Sequence, residues 1–137
     1  KNELLKIPIF GWYLKKIGSI SVNRNKITKN NLGFIEKIKY SVQNSKRPIL
    51  IFPQATRVLP DDRTSFKKGV GRIYKELGIK CQPIAINSGR VWRKKNILIP
   101  NKSITISILS PINPGIDSNV FVSTIEKKIY DELDIIN

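Results

Sequence analysis

Four short segments of this chain concentrate side chains able to grip an anion. They are Val22-Asn-Arg24, Phe52-Pro-Gln-Ala-Thr-Arg57, Ser65-Phe-Lys-Lys-Gly69 and Ala85-Ile-Asn-Ser-Gly89. The second is the most telling. Residues 49–52 form a short apolar run that predicts a buried strand. Pro53 stops it, because proline has no N–H for a strand ladder. Gln54, Thr56 and Arg57 follow at once. Polar groups just past a buried strand are where an open α/β sheet places its ligand. An arginine there offers a planar fork of donors matched to phosphate or carboxylate. The predicted chemistry is anion binding at a strand end. The chain has no histidine, so it lacks the commonest general base and the commonest metal ligand. No metal is expected.

The bulk properties agree with an anionic partner. With 25 basic and 10 acidic residues the formal charge is +15, which suits phosphorylated substrates, anionic headgroups or nucleic acid. Part of that charge reflects a composition rich in Lys, Ile and Asn. The length of 137 residues and the 40 % apolar content suit one globular domain with a real core, spanning 1–137. A single cysteine, Cys81, excludes an intrachain disulfide framework and reads as a core thiol. There is no apolar run long enough to span a bilayer, and no signal peptide is visible. The chain begins at Lys1 without an initiator methionine. The expectation is an N-terminally truncated domain whose missing chemistry lies upstream.

The elements that must position these groups can be read in order. Residues 3–17 are apolar and aromatic with interleaved lysines, and Pro8 and Gly11 are expected to break any long helix there. Residues 19–22 read as a strand. Thr28 can cap a helix running to about Gln43, with Leu32, Ile35, Ile38 and Val42 on one face. After strand 49–52, residues 59–65 are rich in turn formers. Residues 69–77 predict a helix closed by Gly78. Residues 82–87 and 104–108 alternate as strands. Between them, 90–101 form a basic excursion around Trp92. Phe121, Ile125, Ile129 and Leu133 mark one face of a final helix. Strands alternating with helices predict an α/β fold with a mixed, largely parallel sheet flanked by helices.

In order and spacing, the four segments resemble the glycerolipid acyltransferases, in particular the bacterial 1-acylglycerol-3-phosphate O-acyltransferases. That family carries a Gly…Ile-Asp-Arg block, then Phe-Pro-Glu-Gly-Thr-Arg, then Phe/Tyr-Lys-x-Gly, then Pro-Val/Ile-x-x-x-Asn/Ser. This chain has Gly18-Ser-Ile-Ser-Val-Asn-Arg24, Phe52-Pro-Gln-Ala-Thr-Arg57, Phe66-Lys-Lys-Gly69 and Gln82-Pro-Ile-Ala-Ile-Asn-Ser-Gly89. The resemblance covers nearly the whole chain. It implies transfer of a fatty acyl group from acyl-carrier protein or acyl-coenzyme A, as co-substrate rather than cofactor, to the free hydroxyl of lysophosphatidic acid. It implies phosphate contacts from Arg24 and Arg57, supported by Thr56, with Lys1 and Lys68 as weaker candidates. Asn23, Phe52, Pro53, Gln54, Ala55 and Asn87 complete the acceptor-site motifs. The family's catalytic pair, His-x4-Asp, is expected upstream of Lys1. A peripheral or monotopic enzyme on the cytoplasmic face of the bacterial inner membrane follows from the same resemblance.

The chain departs from the pattern at three residues. Gln54 stands where the family has glutamate, Ala55 where it has glycine, and Asn23 where it has aspartate. Glutamine keeps size and an acceptor oxygen but loses charge. Alanine adds a β-carbon where positive φ, or close backbone approach to a ligand, is wanted. These departures motivate an alternative, an inactive lysophospholipid-binding paralogue. Residues 4–17 read either as core-packing helices or as an interfacial element, with Phe10, Trp12 and Tyr13 at headgroup depth and Lys6, Lys15 and Lys16 on anionic lipid. Trp92, among Arg90, Arg93, Lys94 and Lys95, is either a second such point or an incidental tryptophan in a charged surface. The charge and interleaved aromatics also admit a nucleic-acid-binding domain, but none of the usual nucleic-acid motifs is present, and no nucleic acid is expected as a partner.

Overall fold

The computed structural model describes residues 2–20, 31–45, 47–56, 58–93 and 97–137. The protein divides into two compact units, Lys1–Leu50 and Ile51–Asn137.

In the first unit a 3-10 helix over Asn2–Lys6 precedes helix α1, Phe10–Lys16, and helix α2, Asn31–Asn44. Pro8 separates the first two, as its missing N–H and ring require. Gly11 is not the second break expected of it. It lies inside α1 and is buried, and a Cβ there would collide with the backbone of Leu5. The glycine permits close approach of the two helical turns. Gly18, at φ 74°, lets the chain leave α1 in a left-handed turn, with the Ser19 N–H donating to the Leu14 carbonyl at 2.9 Å. On α2, Ile35 and Ile38 are buried and share one face. Of the predicted strand over 19–22, Ser19 and Ile20 are described and are not in a strand, while its second half and the cap at Thr28 lie outside the described residues.

The second unit holds helix α3 (Gly69–Leu77), strand β1 (Ile84–Ile86), the short helix α4 (Ser88–Val91), strands β2 (Trp92–Arg93), β3 (Ile97–Leu98) and β4 (Ile106–Ile108), and the long helix α5 (Ser118–Ile136). Helix α3 ends at Gly78, φ 59°, whose N–H donates to the Tyr74 carbonyl, so the glycine stop operates as expected. Asp117 starts α5, its carboxylate accepting from the backbone N–H of Asn119 at 2.8 Å and of Val120 at 3.4 Å.

The core lies between α3 and α5. It comprises Phe66, Tyr74, Ile112, Phe121 and Ile125, with Cys81 and Tyr130 packed at its margin. Phe121 is fully buried, which stabilises the fold by about 2–3 kcal/mol. Its ring stacks on Tyr74, centroids 3.7 Å apart. The helices approach this closely because Gly71 faces α5: a Cβ there would lie 2.5 Å from the Ser118 carbonyl oxygen.

The fold is mixed α/β, but every described strand pair is antiparallel. Strand β1 pairs with β4, Ile84 opposite Ile108 and Ile86 opposite Ile106. The basic excursion contains a small hairpin, β2 with β3. A largely parallel sheet is not among these pairings. Residues 49–52 join no ladder among the described residues, and Leu50 and Phe52 are 74 % and 72 % exposed. An apolar run specifies a strand only when neighbours supply its hydrogen bonds.

Candidate functional site

The segment Phe52-Pro-Gln-Ala-Thr-Arg57 begins as a tight turn. The Ala55 N–H donates to the Phe52 carbonyl at 3.1 Å, and Ala55 sits at φ 59°. That is the left-handed region, which L-residues enter at a cost of about 1–2 kcal/mol relative to glycine. The turn is joined to the next motif by the Lys67 N–H, which donates to the Pro53 carbonyl at 2.9 Å. Two of the four sequence motifs are thereby brought together.

Their chemistry divides by burial. Phe66 is an anchor, buried in the core with its ring 5.4 Å from that of Tyr130. Lys67 and Lys68, Ala55 and Thr56 are exposed, while Pro53 and Gln54 are half-buried. The lysine ammonium groups are available to an anion. Arg57, Arg24, Asn23 and Lys1 lie outside the described residues.

Asn87 has a different position from the other candidates. It is buried, its Nδ2 donating to the Ile136 carbonyl at 2.8 Å and its Oδ1 accepting from the Thr105 N–H at 2.7 Å. Both ends of its side chain are committed, and it locks the start of α4 to the end of α5. Beyond it, Arg90 pairs with Asp61 at 2.9 Å. Arg90, Arg93 and Lys102, with Leu59, Pro60 and Ile99, line an open pocket of about 280 Å³. Three cations against the single carboxylate of Asp61 leave it a local charge of +2, which attracts anions.

Sequence reading missed the polar face of α5. Glu126, Tyr130 and Asp134 recur at four-residue spacing, so they lie on one side of the helix. The Phe66 N–H donates to Glu126 Oε2 at 2.6 Å. The Tyr130 hydroxyl donates to the Thr64 carbonyl at 2.6 Å and accepts from Gln54 Nε2 at 3.1 Å. Asp134 pairs with Arg63, whose guanidinium also lies 4.8 Å over the Tyr130 ring. One helix face therefore holds the chain at Gln54, Arg63, Thr64 and Phe66. The spacing Glu-x3-Tyr-x3-Asp beside the apolar face was the available signal.

Among the described residues no group of His, Cys, Asp and Glu side chains is placed to hold a metal ion. Burial raises the Cys81 thiol above its ordinary pKa, and its backbone bridges to Ile112. In the first unit Phe10, Trp12 and Tyr13 are all exposed, with the Lys16 ammonium 4.4 Å over the Trp12 ring. No helix among the described residues is long and apolar enough to cross a membrane.

The acyltransferase family model matches residues 1–87, which include all four motifs apart from their last two residues. The chain belongs to the acyltransferase family. Three curated members are similar to it, each named a 1-acyl-sn-glycerol-3-phosphate acyltransferase. The Pseudomonas aeruginosa protein is 31 % identical over 96 residues, covering 69 % of this chain and 36 % of that protein. The Borreliella burgdorferi protein is 32 % identical over 117 residues, covering 85 % and 45 % respectively. The Cocos nucifera protein is 25 % identical over 117 residues, covering 82 % and 36 %. The chain spans less than half the length of these acyltransferases. No solved structure matches it. All of α5 lies beyond the family match, including the Glu126–Tyr130–Asp134 face.

Proposed function

We propose that the intact protein is a 1-acylglycerol-3-phosphate O-acyltransferase, transferring a fatty acyl group from acyl-carrier protein or acyl-coenzyme A to the free hydroxyl of lysophosphatidic acid. The observation that carries this reading is the family match across the ordered motifs, with three relatives bearing that name. In this reading Arg57 and Arg24 hold the acceptor phosphate through charge-assisted hydrogen bonds. Thr56, Lys68 and Lys1 assist. The turn at 52–55 immediately precedes Thr56 and Arg57 in the sequence. The attacking hydroxyl needs a general base, and no histidine occurs among these 137 residues. The resemblance to the glycerolipid acyltransferases assigns the base to a His-x4-Asp pair outside them. The whole catalytic domain is taken to contain a mixed, largely parallel sheet.

The lipid substrate requires contact with a membrane surface, proposed as the cytoplasmic face of the inner membrane. The exposed aromatics Phe10, Trp12 and Tyr13, with Lys6, Lys15 and Lys16, support a peripheral docking role for α1. The deciding experiment is acyl transfer to lysophosphatidic acid by the intact protein, with each donor in turn. Arg57→Ala is expected to raise KM for the acceptor at least about tenfold, the loss of one charge-assisted contact. Absence of transfer, or an unchanged KM in the variant, would refute the assignment. Acceptor binding without turnover would indicate the inactive paralogue instead.

A further inference from the structure

Tyr130 sits between two partners that constrain it in opposite senses. The Thr64 carbonyl can only accept, so the single hydroxyl proton of Tyr130 is committed to it at 2.6 Å. Only lone pairs remain to face residue 54. Gln54 answers with an N–H donor at 3.1 Å. A carboxylate at position 54 has no proton to give at neutral pH. It would confront a lone pair, or take the hydroxyl proton and leave the Thr64 carbonyl without its donor. The ring itself cannot easily swing away. The Phe66 ring lies 5.4 Å from it and the Arg63 guanidinium lies 4.8 Å over it. Arg63 is in turn paired with Asp134.

We infer that Tyr130 is a positioning residue for the acceptor-site turn, acting through Gln54, and that it makes a hydrogen-bond donor at position 54 a requirement of this protein. The chain of contacts is short. Helix α5 fixes Tyr130, Tyr130 fixes Gln54, and Gln54 lies two and three residues before Thr56 and Arg57. The Pro53 carbonyl, immediately before Gln54, is held separately by the Lys67 N–H at 2.9 Å. Two independent ties therefore set where the turn points. Losing one leaves the turn formed but less well aimed. The signature is weaker acceptor binding with chemistry largely intact. This inference rests on the acyltransferase reading for its activity assay, but the coupling between residues 54 and 130 does not.

The test uses the intact protein with Tyr130→Phe, Gln54→Glu and the double variant. Tyr130→Phe removes both bonds of the hydroxyl, to Thr64 and from Gln54; because only the second aims the turn, KM for lysophosphatidic acid is expected to rise about 3- to 10-fold, as for one neutral hydrogen bond, with kcat within about twofold. Gln54→Glu is expected to raise KM about tenfold or more, because a half-buried polar group is left unpaired beside a negative charge. In the Tyr130→Phe background the same Gln54→Glu change should cost no more than about twofold, since the lone pair it opposes has gone. Gln54→Met, which removes the donor without adding charge, should behave like Tyr130→Phe and serves if that variant does not fold. An unchanged KM in Tyr130→Phe, or a Gln54→Glu penalty equal in both backgrounds, overturns the inference. Urea midpoints of the same four proteins provide a second cycle. If the intact protein fails to acylate lysophosphatidic acid, the proposed function falls. The present inference then stands on coupling in the urea midpoints and falls if the changes there are additive.

Discussion

Gly71→Ala sets a local preference against a tertiary one, and the structure decides the sign. Residue 71 is the third residue of α3, and within a helix alanine is favoured over glycine by up to about 1 kcal/mol. Judged locally, the substitution should stabilise. The added Cβ, however, would lie 2.5 Å from the Ser118 carbonyl oxygen and 2.7 Å from both Ser118 Oγ and Val122 Cγ2. The hydroxyl and methyl can rotate aside; the backbone carbonyl cannot. Restoring van der Waals contact means separating α3 from α5 by close to 1 Å. A gap of that size forfeits a quarter to a half of each dispersion contact across it, and the Tyr74–Phe121 stack lies in that interface. Overpacking costs about 1–3 kcal/mol, and a clash with a backbone carbonyl that cannot rotate aside falls in the upper part of that range, about 2–3 kcal/mol. Set against the helical gain, the net expectation is a loss of about 1–2 kcal/mol. With a urea slope of about 2 kcal/mol per molar, the middle of the usual range, the midpoint should fall by roughly 0.5–1 M. Gly69→Ala is the control: it lies in the same helix, and its Cβ would meet nothing within 4 Å. Its midpoint should stay level or rise slightly. A Gly71→Ala protein as stable as the parent, or more so, would refute the close helix crossing and the argument built on it.

Other expectations follow from single sites. Ala55→Gly should stabilise by about 0.5–1 kcal/mol, because relief at φ 59° outweighs the extra unfolded-state entropy of glycine; a lower urea midpoint would contradict the strained turn. Hydrogen bonds from the Asn119 and Val120 amides lower the Asp117 carboxyl pKa below its ordinary 3.8. A lowered folded pKa contributes stability that is present above the unfolded pKa and lost as pH falls through the folded one. Asp117→Asn should therefore be less stable than the parent at pH 7, with the difference shrinking below about pH 4; a gap that persists at pH 2 would refute this. The Cys81 thiol, raised by burial, should react with iodoacetamide far more slowly than a free cysteine at pH 7 and match it only after unfolding; equal rates in the native state would exclude that burial.

How much was legible in the sequence varied with the range of the interactions. Helix α3 and its stop at Gly78 were readable because periodicity and a left-handed glycine act within one turn. The apolar face of α5 was readable for the same reason, and Phe121 and Ile125 are indeed in the core. Residues 49–52 were misread because hydrophobicity reports a wish for burial, not the presence of a pairing partner. Gly11 was misread because a helix-breaking preference of about 1 kcal/mol yields to a contact that only glycine permits. Among the motif residues, Phe66 proved to be an anchor and Asn87 a clamp, although residue type alone suggested ligand contact for Asn87. Gln54 and Ala55 stood out as departures in the sequence, but nothing local explained them.

By itself the sequence determined the order of the four polar and basic motifs and, through them, the family. Motif spacing survives as a linear pattern because each motif is only a few residues long. The tertiary structure alone decided what those motifs lean on. Gln54 meets Tyr130 across 76 residues and Phe66 meets Glu126 across 60. A hydrogen bond also has a direction, set by which partner already holds the proton, and that is a property of three groups in space. The demand for a donor at residue 54 arises there, in the meeting of a carbonyl, a phenol and an amide that no linear pattern places side by side.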